Sequence, residues 1–200
     1  KAECRVVSVC GHGNNGGDGI VAAQYLSEHG ISCEIIFADG LPKTAESKKA
    51  LEQAVGVKTY DFKQDRSLCT QKIKAADIII DAVYGIGFHG GLNEEMLSLV
   101  EMINSSGARV LSVDLPSGAP CDNGQVENGC VEAELTVSFT TLKPVHVLFP
   151  SMDYCGKTVV LEVGIPQKLI NSSPFWAETT DGGCMRAALT PRRPSSNKGS

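Results

Sequence analysis

Short apolar runs alternate with helical patterns along most of this chain, and this alternation constrains the fold more than any other feature. Seven runs are predicted to be strands: residues 5–9, 33–37, 57–60, 77–81, 109–113, 134–139 and 157–163. Four segments between the earlier strands are predicted to be helices: residues 19–29, 44–55, 67–75 and 93–105, with Thr44 as an N-cap and Gly30 as a C-cap. Because strands that alternate with helices need right-handed crossovers, we expect an α/β fold with a mostly parallel sheet covered by helices on both faces. No helix is expected after Gly118, and the last two strands are expected to extend one side of the sheet.

Size and charge narrow the class of partner. The 200 residues, 42% of them apolar, are enough for one domain with a tail. A formal net charge of −5 argues against a nucleic-acid partner or an anionic membrane surface, since both select basic patches. No stretch reaches the ~20 apolar residues of a membrane span. A small molecule or a protein is therefore the expected partner.

The eight cysteines show no pattern typical of a zinc site or a redox motif. They stand at positions 4, 10, 33, 69, 121, 130, 155 and 184, without C-x-x-C or Cys/His pairs at zinc spacing. We expect buried free thiols in a reducing compartment. This usage predicts a cytoplasmic location, with a mitochondrial one left open.

Polar residues follow four of the predicted strands, at positions where an open parallel sheet binds its ligands. The segments are Gly11–Asp18, Asp81–Gly91, Asp114–Gly118 and Thr140–Lys143. Together they bring glycines, two asparagines, three acids, a serine and a lysine to one edge of the sheet. Amide, carboxylate and hydroxyl oxygens are hard ligands that suit a small cation, but too few charges converge for a dedicated divalent site.

The first of these segments matches the dinucleotide fingerprint G-x-G-x-x-G at Gly11, Gly13 and Gly16. With Asp39 as the acid that holds a ribose, it would indicate a nicotinamide-dependent oxidoreductase. Two amides and the Asp18 carboxylate in the same segment argue against that interpretation. A tight turn without ligand is the simpler alternative for the glycines, and Asp81, Asp114 and Lys143 each have a purely structural alternative as well.

Five motifs in order resemble the NAD(P)H-hydrate epimerase family, whose domain is called the YjeF N-terminal domain. They are Gly11-x-Gly-Asn-Asn-Gly-Gly-Asp-Gly19, Asp81-Ala-x-x-Gly-x-Gly87, Val113-Asp-Leu-Pro-Ser-Gly118, Thr136-Val-x-Phe139 with Lys143, and Cys155-Gly156 leading to Val163-Gly-Ile-Pro166. The resemblance spans about residues 5–169. It implies a Rossmann-like three-layer α/β/α sandwich, a homodimer when full length, a potassium ion, and interconversion of the R and S epimers of hydrated NADH or NADPH.

The resemblance also assigns site residues. Substrate binding falls on Asn14, Asn15, Gly16, Gly17, Asp18, Gly85, Ile86, Gly87, Phe88, His89, Gly90, Gly91 and Asp114. The potassium ligands fall on Asn15, Asp81 and Ser117. Asp114 is the candidate acid/base group for losing and re-adding water at the hydroxyl-bearing carbon, with Lys143 as the second candidate. The chain departs from the family at His12, where proline is usual, and at Phe88-His89, where a basic residue often stands.

The same resemblance predicts the domain organisation. Residues 1–170 are expected to be the epimerase domain without its N-terminal helices, and residues 171–200 a linker with a possible start of an ADP- or ATP-dependent dehydratase domain. We therefore expect a fragment of a repair enzyme in which the epimerase feeds the S form to a fused or partner dehydratase. A non-catalytic nucleotide- or protein-binding scaffold of the same fold, or an oxidoreductase, is the alternative function.

Overall fold

Seven strands form one sheet in a computed structural model that describes residues 4–174, 177, 179–180 and 182–188. The strands are β1 (Arg5–Cys10), β2 (Ser32–Phe37), β3 (Lys58–Asp61), β4 (Ile78–Ala82), β5 (Arg109–Val113), β6 (Leu135–Phe139) and β7 (Lys157–Leu161). Their order in the sheet is β3-β2-β1-β4-β5-β6-β7, and every neighbouring pair is parallel. The predicted three-layer α/β sandwich is confirmed, including the extension of one side of the sheet by β6 and β7.

Four helices cover the two faces of this sheet. They are α1 (Asn14–Glu28), α2 (Ala45–Gln53), α3 (Arg66–Ala75) and α4 (Glu94–Asn104). Successive strand residues point to opposite faces, so each central strand contributes to two cores. Along β1, for example, Val6 packs in the core that includes α1 and α2, whereas Val7 packs in the core that includes α3 and α4.

The predicted start of the first helix at Gly19 is wrong, because α1 begins at Asn14. The low helix propensity of glycine masks the start in the sequence. In the structure a side chain at Gly16 would overlap the carbonyl oxygen of Gly11, and one at Gly17 would stand 3.2 Å from Ser47. Small residues therefore let the first turn of α1 lie against the end of β1 and against α2.

The expectation that helices stop after Gly118 is also wrong. Two 3₁₀ turns lie between β6 and β7, at Pro144–His146 and Ser151–Tyr154. The chain forms two compact units that divide between Val163 and Gly164, and the second contains two short helices, α5 (Gln167–Ser172) and α6 (Gly182–Ala188). The predicted boundary between residues 170 and 171 stays a prediction, and the proposed dehydratase start at residues 189–200 lies outside the described residues.

Six cysteines are buried free thiols, as predicted: Cys10, Cys33, Cys69, Cys121, Cys130 and Cys155. Burial raises the pKa of Cys10 to about 12, which keeps this thiol protonated and unreactive. None of the helices in the described ranges is long and apolar enough to cross a membrane.

The order of the strands reverses between β1 and β4, and this position determines where the polar loops meet. From β1 the chain proceeds outward to β2 and β3, then returns to β4 on the other side of β1 and continues outward to β7. The loop after β1 leaves directly beside the end of β4, with Gly11 donating its amide to the carbonyl of Ala82 at 3.0 Å. A crevice at such a switch point is the usual ligand site of an open α/β sheet.

Candidate active site

A cavity of about 820 Å³ lies at the carboxyl edge of the sheet, above this switch point. Loops after five strands line it. Its residues are His12, Gly13, Asn14, Asn15, Asp18, Asp39, Val83, Tyr84, Gly85, Ile86, Gly87, Phe88, His89, Asp114, Phe139, Thr140, Thr141 and Lys143. This volume is in the range of small-molecule sites.

Most of the residues that the sequence analysis assigned to substrate binding line the cavity. Those that do are Asn14, Asn15, Asp18, Gly85, Ile86, Gly87, Phe88, His89 and Asp114. Gly16 and Gly17 are in the packed first turn of α1 and are not among the lining residues, and neither are Gly90 and Gly91. A substrate contact at these four glycines stays a prediction.

The two candidate catalytic residues are in direct contact. The ammonium group of Lys143 donates to Asp114 Oδ1, to Ser138 Oγ at 2.9 Å and to the carbonyl of Phe139 at 2.8 Å. The Lys143 and Asp114 side chains are 16% and 10% exposed, so the pair sits largely out of water but at the cavity wall. The Phe139 amide also donates to Asp114 Oδ1, at 3.1 Å.

Asp114 has an unusual backbone conformation, with φ at +66°. Aspartate tolerates this left-handed region better than most residues, but it still needs support from its surroundings. The Asp114 amide donates to the Val137 carbonyl at 2.8 Å. The Asp114 carbonyl is 2.8 Å from Nε2 of His146, a buried residue to which the sequence analysis assigned no role.

The three predicted ion ligands belong to one hydrogen-bonded chain. The fully buried carboxylate of Asp81 accepts from Ser117 Oγ at 2.5 Å, from the Ser117 amide at 2.9 Å and from Ser112 Oγ at 2.8 Å. Ser117 Oγ accepts from the amide of Tyr84 at 3.0 Å, and the Tyr84 carbonyl accepts from Asn15 Nδ2 at 2.9 Å. Asn15, Asp81 and Ser117 are thus brought together around the first residues of the loop after β4.

The oxygen atoms of Asn15, Asp81 and Ser117 suit a monovalent cation. Burial raises the pKa of Asp81, because hydrogen bonds alone do not replace the water that its charge has lost. Among the residues that the structure describes, no cationic side chain contacts the Asp81 carboxylate, and no cluster of three acidic, histidine or cysteine side chains could hold a divalent metal. One carboxylate with amide and hydroxyl oxygens matches a cation of low charge that prefers oxygen ligands.

Two further features of the cavity involve Tyr84, to which the sequence analysis assigned no role, and Asp39, which it considered only as the ribose acid of an oxidoreductase. Tyr84 and Phe88 stack with their ring centroids 4.8 Å apart, which forms an aromatic surface on the cavity wall. At the end of β2, Asp39 accepts the His12 amide at 3.0 Å, and its other oxygen is 2.6 Å from His12 Nδ1. Both features lie just beyond strand ends, as the rule for ligand sites of open parallel sheets predicts.

Asp18 adds a third carboxylate to the cavity, in addition to those of Asp39 and Asp114. Burial raises the pKa of Asp18, and the nearby negative charge of Asp114 raises it further. Acidic groups, a lysine and an aromatic surface therefore share one cavity, an arrangement suited to proton transfer on a cationic or ring-shaped ligand.

A family model described as YjeF-related protein N-terminus matches residues 1–145. The chain belongs to this family. The YjeF-related chain is 34% identical to the bifunctional NAD(P)H-hydrate repair enzyme Nnr of Thermofilum pendens over 96% of its own length and 36% of the relative. It is also 34% identical to the NAD(P)H-hydrate epimerase of Elusimicrobium minutum, over 84% of its length and 77% of the relative.

A solved structure shares the fold of this YjeF-related chain. The crystal structure of the yeast protein ynu0 superposes with a TM-score of 0.71 at 26% identity, covering 90% of this chain and 76% of the yeast chain. The chain spans a little over a third of the length of the bifunctional repair enzymes from Thermofilum pendens and Moorella thermoacetica. The family resemblance identified from the five motifs is therefore confirmed.

Proposed function

We propose that this chain is an NAD(P)H-hydrate epimerase, an isomerase that interconverts the R and S forms of hydrated NADH and NADPH. The observation that carries this proposal is the Lys143–Asp114 pair in the wall of the cavity at the strand-order reversal. Relatives named as epimerases, over most of whose length the chain aligns, support it.

The pair offers the proton transfers that this reaction needs. The hydroxyl on the reduced ring takes one proton from the Asp114–Lys143 pair and leaves as water, while the ring nitrogen donates its electron pair and becomes part of a cationic ring. The Asp114 carboxylate stabilises that positive charge. A water molecule then adds to the opposite face of the ring and returns one proton to the Asp114–Lys143 pair, so that protons and charge balance.

We also propose potassium as the cofactor, held by Asn15, Asp81 and Ser117. The ion would supply the countercharge that the buried Asp81 carboxylate lacks among its contacts. Asn15 belongs to α1, Asp81 to β4 and Ser117 to the loop after β5, so these residues tie together three segments that border the cavity.

The epimerase test uses R-hydrate, a dehydratase specific for the S form, and the appearance of NADH as the readout. Asp114→Asn keeps the shape of the side chain and its tolerance of positive φ but cannot accept a proton. We expect it to lose about 10²- to 10⁴-fold in rate, the usual contribution of acid/base catalysis. Asp122→Asn, an exposed acid in the same loop region, is the matched control. A wild-type protein that gives no more NADH than the uncatalysed reaction contradicts the proposed function.

Potassium is tested separately, by dialysis against choline buffer and addition of potassium, sodium or lithium. We expect potassium to restore activity and raise the melting temperature, because an ion that binds the native state stabilises it. The Asp81→Asn variant should lose both responses. Equal activity and stability in all four buffers would remove potassium from the proposal.

The domain organisation, oligomeric state and location of the whole protein are also proposed, largely from its family. We propose that the whole protein joins this domain to a dehydratase, as in the bifunctional relatives, and that it forms a homodimer in the cytoplasm. The alignment with the Thermofilum pendens enzyme over 96% of the chain supports the fusion, and the six buried free thiols support a reducing compartment. Light scattering on the full-length protein would report one or two copies.

A further inference from the structure

His146 connects the two catalytic candidates through their backbones, although it does not line the cavity. The residue as a whole is 5% exposed. Nε2 lies 2.8 Å from the carbonyl oxygen of Asp114, and Nδ1 lies 3.0 Å from the amide nitrogen of Lys143. One imidazole thus joins the loop after β5 to the loop after β6.

These two contacts determine the protonation state of the ring. A backbone amide can only donate a hydrogen bond and a carbonyl can only accept one. Nδ1 must therefore carry a lone pair toward Lys143, and Nε2 must carry the proton toward Asp114. The ring is neutral, with its proton on Nε2.

Each contact acts on a catalytic group. Asp114 has φ at +66°, and the hydrogen bond from His146 orients its carbonyl, while the amide of Asp114 is held by Val137. Lys143 is the residue before the 3₁₀ turn Pro144–His146, and His146 closes that turn by donating its own amide to the Lys143 carbonyl at 3.0 Å. The backbone of Asp114 and the backbone of Lys143 are therefore both hydrogen-bonded to the side chain of His146.

We propose that His146 is a positioning residue that holds Asp114 and Lys143 in the geometry needed for epimerisation by bridging their backbones as the neutral Nε2–H tautomer. The inference rests on the proposed function for its kinetic consequence, but its structural content can be measured independently. A displacement of about 1 Å at reacting groups can cost about 10²-fold in rate. Loss of the His146 bridge, which is bonded directly to both residues of the pair, should therefore lower kcat.

Protonation of His146 would break the bridge, because an imidazolium has no lone pair at Nδ1. The charged groups that face the ring are Lys143 and Asp114, and burial lowers the pKa of His146 below its ordinary value. The folded protein thus binds this proton less readily than the unfolded chain. The stability that His146 contributes is complete above about pH 6.5 and is lost as the pH falls toward the lowered pKa.

Three substitutions separate the two hydrogen bonds. His146→Gln can keep the donor to the Asp114 carbonyl, His146→Asn can keep the acceptor for the Lys143 amide, and His146→Phe keeps neither. We expect kcat to fall about 10- to 100-fold in the Phe variant with little change in KM, and by smaller factors in the Gln and Asn variants. His29→Phe and His29→Gln serve as controls, because His29 is exposed and outside the cavity.

Two further measurements distinguish positioning from general destabilisation. Nitrogen NMR of the wild type at pH 7 should show the neutral Nε2–H tautomer of His146, whether or not the protein turns over hydrate. The fall in kcat that protonation of His146 causes at acid pH should be absent in His146→Gln, which has no group to titrate at this place.

The proposal is overturned if folded His146→Phe retains wild-type kcat, if Gln and Asn fall as far as Phe, or if NMR shows a protonated ring or the Nδ1–H tautomer. A wild type that is inactive toward hydrate but has the expected tautomer contradicts the proposed function and leaves the bridge in place.

Discussion

At the scale of single residues, the Asp114–Lys143 contact matters both for the stability of the fold and for the proposed reaction. The Lys143 ammonium uses all three of its protons, on Asp114, Ser138 and Phe139. Such a pair is costly to break, because removal of one partner leaves the other charge buried without compensation. Its members are therefore held in place more firmly than exposed acids and lysines on the same surface.

This argument predicts an asymmetry between single and double substitutions. Lys143→Met should lower the free energy of unfolding by about 3–5 kcal/mol at pH 7, because the buried Asp114 carboxylate loses its cation. Adding Asp114→Asn to that variant should recover part of the loss, although we expect both proteins to be inactive. Urea unfolding measures both values, and Lys48→Met on the exposed side of α2 provides the control. Equal losses in the single and double variants would mean that the pair contributes no buried charge interaction.

The rule that polar residues after strand ends share one edge of the sheet holds for the two candidate catalytic residues, whose roles stay predictions. Asp114 and Lys143 follow β5 and β6, and the structure brings them into contact. His146 was missed because its decisive contact, with the carbonyl of Asp114, joins residues 32 positions apart. A local signal was present, since a histidine three residues after Lys143, in a turn that starts with proline, can accept the lysine amide.

At the scale of elements, the close packing of the first turn of α1 explains Gly16 and Gly17, two of the glycines that do not line the cavity. Intrinsic propensity disfavours a helix that starts with Asn-Asn-Gly-Gly, yet α1 begins at Asn14. Gly16 and Gly17 are needed in its first turn because only small residues fit there against Gly11 and Ser47. The strands were easier to predict, because β-branched runs favour a buried pleated sheet over other structures. Tertiary packing, which the sequence pattern does not contain, decided the helix start.

This packing can be tested by adding one methyl group at two nearby positions. In Gly16→Ala the new Cβ would overlap a backbone carbonyl oxygen, so we expect a loss of about 1–3 kcal/mol in the free energy of unfolding, typical of overpacking. Gly13→Ala is the matched control, because no atom lies within 4 Å of its Cβ position. Chemical denaturation of both variants checks the difference. A Gly16→Ala protein as stable as Gly13→Ala would show that α1 can move away from β1 at little cost.

At the scale of the whole molecule, the strand order assembles the site. Alternating strands and helices are compatible with several orders, so the sequence pattern predicted the parallel sheet and the common edge but not which loops are neighbours. In the observed order β1 lies beside β4, and β4, β5 and β6 follow one another. The start of α1 with Asn15, the end of β4 with Asp81 and the loops with Asp114 and Lys143 are therefore neighbours. Residues from four separate parts of the chain therefore depend on one sheet for their geometry.

The reactivity of the buried thiols can show whether the sheet and the loops around it unfold in one step. Cys10 is in β1, Cys33 in β2 and Cys69 in α3, and burial raises the pKa of Cys33 and Cys69 to about 11 each. Because alkylation requires an accessible thiolate, iodoacetamide at pH 8 should modify exposed Cys4 within the native protein and spare all six buried cysteines. In increasing urea, the six should become reactive together, at the concentration where circular dichroism reports loss of the fold. Mass spectrometry of the labelled peptides checks this. If Cys121, Cys130 or Cys155 reacts at lower urea than the three thiols of β1, β2 and α3, then the loops that carry Asp114 and Lys143 open before the sheet does.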